Sequence, residues 1–262
     1  KGWKTVLIEQ GTYSKRFFGN PLGIILRMEK SPHLFPTKKT AEGYSVILGR
    51  GVGGGTLLYA GSAFLPGEEY WKEYGIEFDK SIIDEAARET WYNMPPDEFI
   101  GPGTRRIWQA ANEIGIPFDK VGRHIDFSKC TCGCVGCVMG CYSDAKWTAM
   151  EYADEAVEHG ATLLAETKVT GLIVENGVAG GIKAKGKNGE YRVNAKVTIC
   201  ACGGVHTAEL LQRAGISEAG SWFTGDPTTF SFGFIKEGKG NAHEHSMSVG
   251  WHDEENGIVY CA

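Results

Sequence analysis

The chain has no apolar run approaching the roughly 20 residues that a membrane-spanning helix needs, so no membrane span is expected. It also has no excess of basic charge. Its 27 Lys and Arg against 32 Asp and Glu leave a formal net charge of -5, which argues against a general nucleic-acid binder. No secretory apolar segment stands at the start, and neither an internal repeat nor a low-complexity tract is detectable. An initiator methionine is absent, and a chain that begins at Lys1 reads as a fragment, a processed product or one piece of a longer polypeptide. What is present suffices for a packed core: 262 residues, 42% hydrophobic and 23% charged, suit one or two soluble globular domains. Glycine, at 37 residues, exceeds the usual share of about 7% and is spread along the chain, which predicts tight turns rather than a flexible linker.

The first motif is TVLIEQG, Thr5 to Gly11, where Val6, Leu7 and Ile8 run straight into Glu9. A buried strand ending in a carboxylate suits a dinucleotide fold, in which the acid accepts hydrogen bonds from ribose hydroxyls. The phosphate-binding G-x-G-x-x-G belongs about 20 residues upstream of such an acid. Only eight residues precede Glu9, so the first strand, glycine turn and helix are missing from this sequence. Taken alone, Glu9 reads equally well as the end of an ordinary parallel strand.

Punctuation and periodicity set the rest of the organisation. The Pro-, Gly- and base-rich stretch from Gly11 to about Lys39 reads as an extended excursion rather than a regular helix. Helices are predicted over 81–91, N-capped by Asp79 or Ser81, over 104–114, stopping at Gly115, and over about 146–159, ending at Gly160. Asn176-Gly177 and Asn188-Gly189 each separate strand-like runs, which predicts a three-stranded antiparallel meander of LIVE, GGIKAK and YRVNA. A buried strand, KVTICACGG, is expected next. There Gly203 and Gly204 would let backbone approach a cofactor, and a helix opening near Thr207 would aim its positive end at it. A Gly-Gly pair leading into a helix is also common in α/β proteins without ligands. The cluster Gly51, Gly53, Gly54 and Gly55 is too crowded for an element interior, where each glycine costs about 0.5 to 1 kcal/mol against alanine. It reads as an anion cradle of consecutive N–H groups, with the Thr56 hydroxyl for a phosphate oxygen or a flavin edge.

These residues carry a resemblance. GVGGGTLLYAGSAF resembles the flavin signature of the glucose–methanol–choline (GMC) oxidoreductases, ACGGVHTAELLQRAGI resembles that family's second signature, and VLIEQG matches its ribose-binding strand end. Three motifs in order span Thr5 to about Ile216. The resemblance implies an α/β fold: an FAD-binding, Rossmann-like parallel sheet with a three-stranded antiparallel β-meander, plus the start of an α+β substrate domain. Residues 1–216 would form the FAD-binding domain, with a Cys-rich insertion at about 128–145, and 217–262 would open the substrate domain. It further implies that Glu9 binds the adenosine ribose and that Gly51, Gly54, Gly55 and Thr56 lie along pyrophosphate and flavin. Ala60 and Gly61 would lie against the isoalloxazine, Val169 near the adenine, and Gly203, Gly204 and Thr207 along the dinucleotide. Tyr59 stands where the family often has asparagine, and Ala208 where a proline usually follows threonine. The family's catalytic histidine belongs well beyond Ala262, so no catalytic residue is assigned; His243 and His245 read as surface or structural residues.

CTCGCVGCVMGC packs Cys130, Cys132, Cys134, Cys137 and Cys141 into twelve residues of a chain with eight cysteines. Thiolates at C-x-x-C-x-x-x-C spacing suit an iron–sulfur cluster, with Cys134, Cys137 and Cys141 fitting best and Cys130 or Cys132 as a fourth ligand. Four ligands would suit 4Fe-4S and three would suit 3Fe-4S. Structural zinc and disulfides are the alternatives. Some dehydrogenases of the family that pass electrons to cytochromes carry such a cluster in a comparable insertion. The function expected is therefore oxidation of a small-molecule alcohol CH-OH by hydride transfer to FAD, with electrons leaving through the cysteine segment to a protein acceptor or partner subunit. The alternative is a non-catalytic electron-transfer or structural subunit. Reduced cysteines favour a cytoplasmic setting, although related dehydrogenases can be exported after folding.

Overall fold

A computed structural model describes residues 2–15, 19–28, 38–40, 43–65, 68–77, 79–131, 134, 136–225, 228–231, 233 and 244–262. In chain order the strands are β1 (Val6–Ile8), β2 (Lys38–Lys39), β3 (Ser45–Val46), β4 (Tyr92–Asn93), β5 (Asp119–Lys120), β6 (Arg123–His124), β7 (Thr162–Leu164), β8 (Lys168–Glu175), β9 (Val178–Gly186), β10 (Gly189–Asn194), β11 (Val249–Asp253) and β12 (Ile258–Cys261). The α-helices are α1 (Pro21–Arg27), α2 (Glu68–Glu73), α3 (Lys80–Glu89), α4 (Pro102–Glu113), α5 (Met150–Glu158) and α6 (Gly203–Arg213). They fall into two units, each discontinuous in sequence: Lys1–Ser14 with Tyr152–Phe232, and Lys15–Glu151 with Gly233–Ala262.

In the first unit β1 pairs in parallel with β7, in the register Val6↔Thr162, Leu7↔Leu163 and Ile8↔Leu164. The ladder is carried past its end by Glu9 N–H to Leu164 C=O, 3.0 Å, and Thr167 N–H to Glu9 C=O, 2.9 Å. The meander forms as the sequence predicts, in the order β10-β9-β8. Asn176 (φ 52°) and Gly177 (φ 78°) supply the two positive dihedrals that a tight β8–β9 turn requires. The second turn differs by one residue: Gly189 pairs with Gly186, so Lys187 and Asn188 make the loop and Gly189 opens β10. Ile173, Ile182 and Ala184 are buried on the meander, and α6 packs against β8 with Leu210 buried.

Two expectations fail here for one reason. Residues 195–202 belong to no strand, with Val197 60% and Ile199 83% exposed, and Val6 and Leu7 of β1 are 41% and 39% exposed. A buried strand needs ladder partners on its edges and cover on its faces. Among the described residues β1 pairs only with β7, and beyond the Ala195 N–H, which bonds Gly180 C=O of β9, no strand pairs with 196–202.

α3 and α4 of the second unit, and α5, most of which belongs to the first, match the predicted helices within a few residues. Asp79 caps α3 by accepting the Ser81 N–H at 2.9 Å, and Gly115 and Gly160 take φ of 85° and 90° just past α4 and α5. The stretch expected to be an irregular excursion contains α1, because Asn20 caps Leu22 N–H at 2.9 Å and Pro21 occupies the first helical position. The core gathers Val52, Leu57, Ile100, Ala111, Val121, Ile125, Met150 and Val249. A three-stranded antiparallel sheet runs β12-β11-β5. Glu244, 8% exposed, accepts the Gly103 and Thr104 N–H groups at 2.8 and 2.9 Å and so caps α4 from 140 residues away. A Cβ at Gly101 would stand 2.1 Å from that carboxyl.

Candidate cofactor site

The acid-ended strand places the Glu9 carboxylate at the C-terminal end of β1, half-buried, with one oxygen accepting the Gly11 N–H at 2.6 Å. Also in the first unit, a cavity of about 600 Å³ is lined by Cys200, Ala201, Gly203, Gly204, Thr207 and Trp222, among others. It opens at the N-terminus of α6, where no side chain caps the first amides. Gly203 takes φ 78°, and a Cβ at Gly203 or Gly204 would meet nothing within 4 Å. Open space before uncapped helix amides suits an anionic group such as a pyrophosphate. The Thr207 hydroxyl oxygen accepts the Cys202 N–H at 3.1 Å, which ties the turn to the helix. Burial first, then the nearby Cys200 and Glu9, push the Cys202 thiol up from its ordinary pKa. Val169 is half-buried on β8, opposite Ala184.

The glycine cluster lies in the second unit and forms a tight 3-10 turn at Gly54–Leu57. Gly51, Gly53, Gly54 and Gly61 have φ of 137°, 103°, 53° and 86°, a region that side chains rarely adopt. Gly49 must also stay bare, since a Cβ there would meet the Gly54 and Gly55 backbone at 2.8 Å. The Thr56 hydroxyl is engaged within the protein, donating to Gly53 C=O and accepting the Ala149 N–H at 2.9 Å.

Two buried cations that the sequence reading did not single out grip the next turn. Lys146, 3% exposed, donates to the carbonyls of Leu57 (3.2 Å), Tyr59 (2.8 Å) and Cys137 (2.6 Å), and its ammonium stands 4.6 Å over the Tyr59 ring. Burial lowers its pKa to about 8. Arg123, fully buried, donates to Ala60 C=O, to Ser246 C=O and to the Ser248 hydroxyl at 3.2 Å. Desolvation lowers its pKa, and the Cys137 thiol opposes that shift. His124 N–H takes the Gly61 carbonyl at 2.7 Å, and the Tyr59 hydroxyl donates to Trp147 C=O at 2.8 Å. By contrast, the amide N–H groups of Tyr59, Ala60 and Gly61 have no hydrogen-bond partner among the described residues, although Ala60 and Gly61 are buried. Buried amides without partners are rare in native folds and mark a place where something else accepts. The only sequence trace of this clamp is Lys146 within SDAKWTAM; Arg123 in VGRHI carries none.

The described part of the cysteine segment gathers no metal centre. Among the described residues no three His, Cys, Asp or Glu gather so as to hold a metal ion. Cys130 instead faces His245, Sγ to Nε2 at 3.3 Å, and Cys141 faces the Ser143 hydroxyl at 3.2 Å. Cys137 packs with Cys130 against Ile125, Cys141 and Ala145. Cys130, Cys134, Cys137 and Cys141 are all free thiols, so the disulfide alternative is not realised among them. Cys132 and His243 lie outside the described residues. His245 is buried at 6% exposure with its pKa lowered to about 4 by burial and by Arg123.

A parallel strand ending in an acid, a meander and uncapped helix amides over a cavity in the first unit, and a bare-backbone loop in the second, are features that suit a dinucleotide-binding fold. The sequence model of the family described as GMC oxidoreductase matches residues 30–227, and the chain belongs to that family. That membership supports FAD as cofactor. An uncharacterized GMC-type oxidoreductase, MT0511/MT0512, of Mycobacterium tuberculosis (strain CDC 1551 / Oshkosh) is 28% identical over 180 residues, 64% of this chain and 28% of that protein. The chain thus spans little more than a quarter of the length of the curated relative it matches. Among solved structures, pyridoxine 4-oxidase from Mesorbium loti superposes with a TM-score of 0.55 at 16% identity, over 82% of this chain and 47% of the other. An FAD-dependent oxidoreductase from Chaetomium thermophilum does so with a TM-score of 0.50 at 19% identity, over 80% and 43%. At these identities the likeness shows a shared fold.

Proposed function

We propose that this chain is the FAD-binding portion of an oxidoreductase that oxidises an alcohol CH-OH group. The observation that carries the reading is the row of unpartnered amides at Tyr59–Gly61, within the stretch that resembles the family's flavin signature. FAD, when bound, accepts a hydride from the alcohol carbon. The residues present supply recognition. Glu9 would accept from the ribose hydroxyls and Val169 would lie beside the adenine. Gly203, Gly204 and Thr207 would receive the dinucleotide at the positive end of α6. Gly51, Gly54, Gly55 and Thr56 would flank pyrophosphate and flavin, and Ala60 and Gly61 would donate to the ring. All of these positions precede residue 217, which supports 1–216 as the cofactor-binding part and 217–262 as the opening of a substrate-binding part. No side chain here is assigned the role of base.

Electron transfer through an iron–sulfur cluster, or a zinc site, rests on the cysteine density of 130–141 and on the resemblance to cluster-bearing dehydrogenases of the family, and among the described residues no three ligands gather in its support. With free thiols, a reducing, cytoplasmic setting is the reading they support. The test is an absorption spectrum of the purified protein with FAD, iron, zinc and acid-labile sulfide quantified on one sample. One FAD per chain with neither metal is the expected result. A protein that neither retains nor takes up FAD would sink the reading, and three or four irons with matching sulfide would restore the cluster.

A further inference from the structure

We infer that Lys146 and Arg123 are positioning residues that hold the Ala60 and Gly61 amides outward, as paired donors to an acceptor edge of the flavin ring. The inference rests on the FAD reading above and adds two residues to it.

In a trans peptide the C=O and the following N–H point in opposite directions, so fixing one fixes the other. Lys146 holds the Tyr59 carbonyl, and that peptide's N–H belongs to Ala60. Arg123 holds the Ala60 carbonyl, and that peptide's N–H belongs to Gly61. Two successive peptides are therefore locked with their carbonyls on the buried cations and their amides on the opposite side of each plane. Neither amide finds a protein acceptor among the described residues. Gly61, at φ 86°, lets the chain leave the turn without rotating the second plane back.

A structural role alone explains this arrangement poorly. Burying two cations beside one another with no carboxylate costs several kcal/mol per ion unless every donor is satisfied. Among the described residues Arg123 Nε lacks a partner, so that cost is not fully offset within the protein. A cation on a carbonyl also polarises the peptide and strengthens its N–H as a donor. Two such donors favour whichever state of the bound ring places more negative charge at their acceptor, and that is the reduced state.

The experiment measures the flavin midpoint potential of the purified FAD-loaded protein and of Lys146→Met, Lys146→Gln, Lys146→Arg and Lys129→Met. Met and Gln, which remove the charge, are expected to lower the reduced-to-oxidised ratio at fixed potential about tenfold, roughly 30 mV for a two-electron couple. Arg, which restores a cation on the same carbonyls, should recover most of it. Lys129 is an exposed cation in the same unit that touches no part of the loop, and its removal should change nothing. An unchanged potential in both Met and Gln variants that bind FAD overturns the inference and leaves the FAD reading intact. Absence of FAD from the wild-type protein overturns both. Should the charge-removing variants not fold, amide exchange on the wild-type decides: the Ala60 and Gly61 amides should slow at least tenfold when FAD binds, and unchanged rates refute their role as donors.

Discussion

In the FAD reading proposed above, the mouth of the cavity at α6 and the turn at Tyr59–Gly61 would perform the same task in opposite ways. Both would present main-chain amides to a ligand. At α6 the donors come free with helix geometry, because the first N–H groups of any helix lack internal partners, and Gly203 and Gly204 only keep the approach clear. At the turn no repeat supplies donors, so each peptide plane is set individually by a buried cation on its carbonyl. A helix end is an inexpensive donor site that survives in open surroundings. A loop site requires a built interior behind it, which is where Val52, Leu57, Ile125 and Met150 pack.

The comparison breaks most visibly at Arg123. Arg123→Met removes the donors to Ala60, Ser246 and Ser248 and leaves buried acceptors unpaired, so the second unit should lose on the order of 3 to 5 kcal/mol in chemical denaturation. A loss under about 1 kcal/mol would mean that the turn holds itself. At α6 the opposite outcome is expected. Gly204→Asp, placed in open space at a helix start, should raise stability by about 0.3 to 1 kcal/mol through the helix dipole and still weaken FAD binding at least tenfold, read by fluorescence titration. Equal affinity for FAD would show that no anionic group sits there.

A pH series sharpens the second unit alone. His124, whose main chain holds the Gly61 carbonyl, has its imidazole pKa lowered from 6.5 by burial, partly opposed by the Thr90 carbonyl. The unfolded chain therefore binds the proton first. Stability is complete above about 6.5 and declines as the pH falls through that value toward the lower folded pKa, by about 1.4 kcal/mol for each unit of depression. His124→Asn should flatten the part of the melting-temperature profile below pH 6.5, and a profile unchanged by the substitution would remove His124 from that role.

What the sequence makes legible follows the same division. Glu9 after three apolar residues, the Asn176-Gly177 turn, the Asp79 cap and the glycine ends of α4 and α5 are local signals, and each is found in place. Helix α1 was equally local, in Asn20-Pro21, but the surrounding Gly and basic residues obscured it. Residues 196–202 have the composition of a strand and, among the described residues, lack a ladder partner, which composition alone cannot report. The clamp is the least legible. A cation bound to carboxylates leaves a complementary residue in the sequence, whereas carbonyls belong to every residue and leave none. The dense cysteines misdirect in the reverse sense, as spacing that suits a cluster yields, among the described residues, thiols packed in an apolar cluster with Ile125 and Ala145 rather than a ligand set.

The cap of α4 by Glu244 and the pairing of β5 with β11 have a consequence for synthesis. A ribosome releasing this chain delivers α4 and β5 long before their partners, and all of the first unit's later segment, Tyr152–Phe232, emerges in between. β1 waits in the same way for β7, some 156 residues behind it. The two units are thus interleaved in time. The earlier-made segments must stay unaggregated while the other unit is being translated, and residues 244–262, which carry Glu244 and β11, follow only after Tyr152–Phe232.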